Sequence, residues 1–282
     1  MQKNISDNIN KTQKRISNRI KIIIGNIRKN SIQVYWLSKP INFGDQIPPI
    51  LLKFYGFTPI QTSLNNSEIV TIGSVLQDLD DQYSGYIFGA GLIEDKIKEF
   101  PIAKVLAVRG ELTRERIGAS KSVVLGDPGI LVDRLLRKRQ KKEYLLGIVP
   151  HYSDKNDERI NKIYKSNLKE VLIIDVQKPP MDVITKIDKC EYILSSSLHG
   201  LIVADSLSIP NGWIELSDHV VGGGFKFYDY WSSQNASYKP IILTGNENTK
   251  NLISLTHPVS EKIEKIKNNL DNSFYLLRKY FL

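Results

Sequence analysis

Serines and a histidine interrupt an apolar run in the third quarter of the chain. The stretch 192–210 opens Tyr192-Ile193-Leu194 and breaks at Ser195, Ser196 and Ser197. It resumes with His199 in the first turn of a pattern that puts Leu198, Leu201, Ile202 and Asp205 one helical turn apart. That is a strand, a tight turn and a helix N-terminus. Such a junction aims free backbone N–H groups and the positive end of a dipole into the crevice at the strand's carboxyl end, which suits phosphate or carboxylate. Histidine adds a proton carrier that titrates near neutral pH. An anion cradle beside an acid/base group is a reaction centre in outline. The same residues also fit a serine N-cap with a histidine bonded to the turn, and spacing alone does not separate the two.

Other polar groups fall at strand ends. Arg109 closes Ala103–Val108 and precedes Gly110 and a helix 111–117; an arginine fork there suits a carboxylate or phosphate, or pairs with Glu111 or Asp127. Asn42-Phe43-Gly44-Asp45 follows the first strand and offers hydrogen bonds for sugar hydroxyls, or an Asx-turn with an N-cap aspartate. His151 follows a strand ending at Pro150. Gly222-Gly223-Gly224 leads into Phe225-Lys226-Phe227-Tyr228-Asp229-Tyr230-Trp231, where Lys226 can neutralise phosphate and the rings can stack on a sugar or pack inward. Gly89-Ala90-Gly91 lacks the third glycine of a dinucleotide fingerprint. No Cys/His metal spacing and no Walker loop occurs. Asp78, Asp80 and Asp81 read as a solvated loop.

Positioning these groups requires alternating strands and helices. Strands are expected at 32–36, 69–74, 86–91, 103–110 and 123–129. A charged linker follows at 135–143. A second set comes at 144–149, 171–176, 192–195 and 213–216, with helices at 157–168, 181–190 and 198–206. Repeated β-then-α units imply parallel sheets covered on both faces. The pattern gives an α/β chain of two Rossmann-like domains facing a cleft, 31–136 and 137–256, with ligands at the strand carboxyl ends. A C-terminal amphipathic helix over 257–282 carries Ile263, Ile266, Leu270, Phe274 and Leu277 at helical spacing.

A length of 282 residues with 41% hydrophobic content is comfortable for two domains. The single cysteine, Cys190, excludes a disulfide framework and points to a reducing, cytoplasmic compartment. Within 1–30, Lys3, Lys11, Lys14, Arg15, Arg19, Lys21, Arg28 and Lys29 face Asp7 alone, so this segment supplies most of the net charge of +9. Isoleucines interleave with the charges. Ile22-Ile23-Ile24 is too short to cross a bilayer, and a basic amphipathic helix on an anionic membrane surface fits the pattern. A free tail or a helix packed on the body fits it too. No aromatic platform accompanies the basic residues, so nucleic acid is not an expected partner.

Taken in order, Asn42–Asp45, Ile87–Gly91, Val108–Glu111, Leu125–Gly129, Pro150–Tyr152, Ser195–Gly200 and Gly222–Trp231 resemble the polysaccharide pyruvyl transferase family, in a subgroup that reads Ser-Leu-His. The resemblance covers roughly residues 32–235. It implies a GT-B-like two-domain fold, phosphoenolpyruvate as co-substrate with no further cofactor or metal, and a sugar diol as acceptor, free or lipid-linked. Family members often carry arginine two residues before the histidine; here that place is Ser197, which leaves Arg109 and Lys226 as the stronger donor ligands. On this reading His199 is the catalytic acid/base. Arg109, Ser196, Ser197, Leu198, Gly200 and Lys226 bind phosphoenolpyruvate, all but Arg109 from the 137–256 donor side. Asn42, Asp45 and His151 bind the acceptor. The location implied is the cytoplasmic face of the plasma membrane. A nucleotide-sugar glycosyltransferase of the same architecture, and a non-catalytic sugar-binding protein at the membrane, are the alternatives.

Overall fold

The computed structural model describes residues 30–39, 41–217 and 222–281. The basic segment expected to lie on a membrane falls outside them, apart from Asn30. No helix among the described residues is long and apolar enough to cross a membrane.

The first half runs β1 (Ser31–Val34), α1 (Ile47–Phe54), β2 (Thr58–Gln61), β3 (Ile69–Val70), β4 (Tyr86–Phe88), β5 (Lys104–Val108), α2 (Glu111–Arg116) and β6 (Val124–Leu125). The second runs β7 (Tyr144–Val149), α3 (Glu158–Ser166), β8 (Val171–Ile173), α4 (Pro180–Asp188), β9 (Cys190–Ser195), α5 (Leu198–Ser206), β10 (Asn211–Glu215), α6 (Phe225–Ser232), β11 (Ile241–Ile242), α7 (Thr249–Ser254) and α8 (Ile263–Phe281). Every pairing between these strands is parallel. Two edge strands are additions to the expected set. β2 contains Pro59, tolerated because it lies at the edge of its sheet, and β11 is two residues long.

The strand orders decide where a ligand can go. The six-stranded sheet runs β2-β1-β3-β4-β5-β6 and the five-stranded sheet β11-β10-β9-β7-β8. Both follow the doubly wound order in which the connections change direction between the first and third strands of the unit. The crevices at the carboxyl ends therefore open between β1 and β3 in one sheet and between β7 and β9 in the other.

The halves share a core. Phe43, Phe88, Val149, Leu201 and Trp213 belong to one buried cluster that crosses between them. Helix α5 is buried on every side, as its run Leu-His-Gly-Leu-Ile-Val-Ala requires, between its own sheet and the 3₁₀ helix Pro128–Leu135. The last helix, α8, returns to the first half. Its buried stripe of Ile263, Ile266, Leu270, Phe274 and Leu277 covers β5 and β6, and Phe274 stacks on Tyr55 at 4.0 Å between ring centroids. Each such side chain contributes roughly 1.5–3 kcal/mol when fully buried. The charged stretch expected as a linker is tied down. Arg139 pairs with Asp188, and Lys142 Nζ donates to the carbonyls of Asp188 and Cys190 at the end of α4.

Candidate active site

One cavity of about 260 Å³ lies where the two crevices meet. From the first half Tyr35 and Trp36 follow β1, Ile72 and Ser74 follow β3, and Asn42 and Asp45 come from the loop before α1. From the second half His151 and Tyr152 follow β7, Ser197, Leu198 and His199 follow β9, and Lys226 comes from α6. Residues 184 positions apart in sequence, Asn42 and Lys226, thus share one wall system because each sits at a switch point of its sheet or on the helix beside it.

His199 is 6% exposed, with its ring edge-on to Phe43 at 6.4 Å. Gly44 is required against it: a Cβ there would fall 2.0 Å from His199 Nδ1. The glycine of the Asn-Phe-Gly-Asp loop thus admits the histidine from the other half. Burial pushes the imidazole down to about 3, and the nearby charges of Lys226 and Arg109 push the same way. At neutral pH the ring is therefore uncharged, a base before it is an acid. No side chain caps α5 and the Gly200 amide donates to the Ser197 carbonyl at 3.0 Å, so the Leu198 and His199 amides are the first-turn N–H groups left toward the cavity that these residues line.

Lys226 is the cation of the cavity. Its Nζ lies 5.5 Å from the Phe227 ring and has no carboxylate at ion-pair distance among the described residues. Burial and then Arg109 lower it to about 8, while Asp45 and Asp154 act the other way. Burial raises Asp45 to about 6 against Lys226 and Asn42. Burial and Lys226 lower His151 to about 4.

Other expected ligands sit behind the wall. Arg109 is a correction. Its fork does not face the cavity: Nε donates to Asp229 Oδ2 at 2.8 Å, Nη1 to Ser74 Oγ at 2.7 Å and Nη2 to the Leu92 carbonyl. Both side chains of the Arg109–Asp229 pair are 0% exposed. Asp229 also accepts from the Thr113 amide and hydroxyl, and Ser232 Oγ accepts from the Glu111 amide, so α6 caps α2 across the seam between the halves. A Cβ on Gly110 would lie 1.7 Å from the Asp229 carbonyl oxygen, which explains the glycine after the arginine. Ser196 likewise faces inward. Its Oγ accepts from the His151 amide and donates to Asp154 Oδ2, both at 2.8 Å, so it orients His151 instead of meeting a donor. Gly200 lets α5 close on Ser195, whose Oγ a Cβ there would approach to 2.2 Å. The ring run after Gly224 is core: Trp231 is 0% and Tyr230 2% exposed, and Tyr230 donates to Asp205. The aromatic lining comes instead from Tyr35, Trp36 and Tyr152, which directly follow switch-point strands. Asp78, expected to be merely solvated, is exposed and lines the cavity. Among the described residues no group of three or more His, Cys, Asp and Glu is arranged to hold a metal.

The chain is similar to known proteins over much of its length. The family model described as polysaccharide pyruvyl transferase matches residues 87–219. An uncharacterised protein of Acanthamoeba polyphaga mimivirus is 30% identical over 72% of this chain and 75% of its own length. The succinoglycan biosynthesis protein ExoV of Rhizobium meliloti is 29% identical over 73% of this chain and 66% of its own. Among solved structures, an uncharacterised Klebsiella pneumoniae protein superposes at a TM-score of 0.42 with 12% identity, covering 81% of this chain and 98% of that one. The wall teichoic acid polymerase TagF superposes at 0.41 with 9% identity, covering 95% and 92%. The stretch matched by the family model runs from β4 past β10 and contains the Arg109 seam, His151 and the Ser195–Gly200 junction, so the likeness to polysaccharide pyruvyl transferases falls on the segment that supplies much of the cavity.

Proposed function

We propose that the protein transfers the pyruvyl group of phosphoenolpyruvate to two hydroxyls of a sugar unit, forming a pyruvate ketal and releasing phosphate. The observation that carries this reading is the meeting of an uncharged buried imidazole, a lysine with no ion-pair partner among the described residues and an uncapped helix end in one small cavity. A small donor anion suits about 260 Å³, below the roughly 300–1,000 Å³ of sites for drug-sized ligands, while a polymer stays at the mouth.

The residues divide the work. Lys226 and the Leu198 and His199 amides at the start of α5 bind the donor's phosphate and carboxylate. Ser197 and Leu198 shape that end. Asn42, Asp45 and His151 hold the acceptor on the opposite wall. His199 accepts the proton of the attacking hydroxyl and delivers it to the methylene carbon of the donor, which becomes a methyl group. An imidazolium whose pKa is pushed down is a strong acid, which helps protonation of a weakly basic carbon. The hydroxyl oxygen bonds to the oxocarbenium-like carbon. The second hydroxyl then displaces phosphate, and its proton leaves with the phosphate. The charge of Arg109 reaches the cavity although its fork does not.

The basic residues of 1–30 would hold the enzyme against an anionic membrane face where lipid-linked acceptors lie, each contributing on the order of 1 kcal/mol near the surface. Co-sedimentation with anionic vesicles at low and high salt, with and without this segment, tests that part. For the reaction itself, the protein is incubated with phosphoenolpyruvate and sugar diols, and released phosphate and the ketal methyl signal are followed. Acceptor-dependent release of phosphate is expected. Turnover of a nucleotide sugar in its place would overturn the reading in favour of a glycosyltransferase.

A further inference from the structure

We propose that Asp127 is the positioning residue of His199: its buried carboxylate selects the tautomer of the imidazole and supplies the counter-charge when His199 takes up a proton. The inference rests on the pyruvyl-transfer reading and deepens it. Asp127 follows β6 and starts the 3₁₀ helix Pro128–Leu135, which packs on α5. One oxygen is engaged in capping that helix, where Oδ1 accepts from the Gly129 amide at 2.8 Å. The other, Oδ2, is buried without a hydrogen-bond partner among the described residues, and so is His199 Nε2.

The two side chains meet at Gly129. A Cβ there would lie 3.0 Å from Asp127 Oδ1 and 3.9 Å from His199 Cδ2, the ring atom beside Nε2. An unsatisfied buried polar atom costs roughly 1–3 kcal/mol, so two on neighbouring side chains at the edge of a reaction cavity call for a functional reason. The cap does not supply one, because an asparagine accepts from Gly129 equally well.

The ionisable groups around Asp127 are Arg109, Asp229, Asp45, Tyr230 and His199. Arg109 and Asp229 are satisfied by each other, Tyr230 donates to Asp205, and Asp45 lies beside Lys226. Asp127 has a charge left to offer. Burial raises it to about 7, so it ionises within the working range. A carboxylate on the Nε2 side favours a proton there and leaves Nδ1, which lies along Gly44 between the acceptor-side residues Asn42 and Asp45, as the base. Once His199 is protonated between the cations Lys226 and Arg109, the negative charge of Asp127 offsets theirs. Asp127 itself forms and breaks no bond to substrate.

Asp127→Asn keeps the cap and the volume. With phosphoenolpyruvate and acceptor, kcat is expected to fall ~10- to 100-fold, as for outer partners of functional imidazoles, with the donor KM within about twofold. The wild type should gain activity as pH rises through about 7, and the variant should lack that limb. In a His199→Gln background the same change should add no further loss, because residues acting as a unit are not additive. A wild-type rate and pH profile in Asp127→Asn, or an equal added loss in the His199→Gln background, would overturn the proposal. A readout independent of turnover is the ¹⁵N spectrum of the four histidines, His199 being assigned by its own variant. An Nε2–H tautomer in the wild type that is lost in Asp127→Asn supports the proposal; an unchanged tautomer overturns it. Wild-type protein that releases no phosphate from phosphoenolpyruvate overturns the pyruvyl-transfer reading instead.

Discussion

Two charged clusters lie on either side of one wall of the cavity, and they are built in opposite ways. Behind the wall, Arg109 and Asp229 have their main hydrogen-bonding capacity taken by each other and by Ser74, Leu92 and Thr113. In front of it, neither Lys226 has an ion-pair partner nor His199 Nε2 a hydrogen-bond partner among the described residues. A buried ion pair with satisfied partners holds two elements in register. Ionisable groups left without partners at a cavity, with pKa values displaced far from their ordinary ones, mark chemistry. Arginine at a strand end is thus no surer a sign of a ligand than lysine in a helix; what separates them is whether the fold has already supplied a partner.

The largest effect should come from the cavity side. His199→Ala is expected to lower turnover ~10²- to 10⁴-fold while the protein still unfolds cooperatively in urea. Near wild-type turnover would remove the imidazole from the mechanism. On the seam side the pattern should invert. Asp229→Ala leaves the Arg109 charge and the Thr113 amide without their partner and should cost about 3–5 kcal/mol of stability, read from urea unfolding. If that variant kept its stability and lost only donor affinity, the distinction between the two clusters would fail.

Lys226→Met should raise the donor KM about tenfold or more while leaving the unfolding free energy within about 0.5 kcal/mol of wild type, since Lys226 has no ion pair with any described residue to lose. In the wild type the donor KM should climb as pH rises through about 8, where Lys226 loses its proton. The smallest effect is the most discriminating. Asp45 raises the pKa of Lys226, so Asp45→Asn should shift that donor limb to lower pH and raise the acceptor KM a few-fold. A limb that moves upward, or not at all, would show that the two groups do not share a field.

Much of the fold was legible locally. The strand, serine turn and helix of 192–206 appear where apolar spacing and the break at Ser195 put them, and the stripe from Ile263 to Leu277 is the buried face of α8. Asn42, Asp45, His151, Ser197, Leu198, His199 and Lys226 all line one cavity, because each follows a strand or heads a helix at a sheet's carboxyl edge. Arg109, Ser196 and Gly200 obey the same positional rule yet face inward. Their partners Asp229, Asp154 and Ser195 are set by how the halves pack and how the turn folds, not by spacing. Tyr35, Trp36 and Ser74 carried a signal only once β1 and β3 were known to flank a switch point.

By itself, the amino-acid sequence determined most of the strands and helices, though not the edge strands β2 and β11, and that acid/base and cationic groups sit at their ends. Periodicity and capping act over a few residues, so a single chain displays them without a fold. Only the tertiary structure decided which ends share a cavity and which charges are already answered. Arg109 and Asp229 are 120 residues apart, and nothing local in either sequence context announces that each is the other's partner.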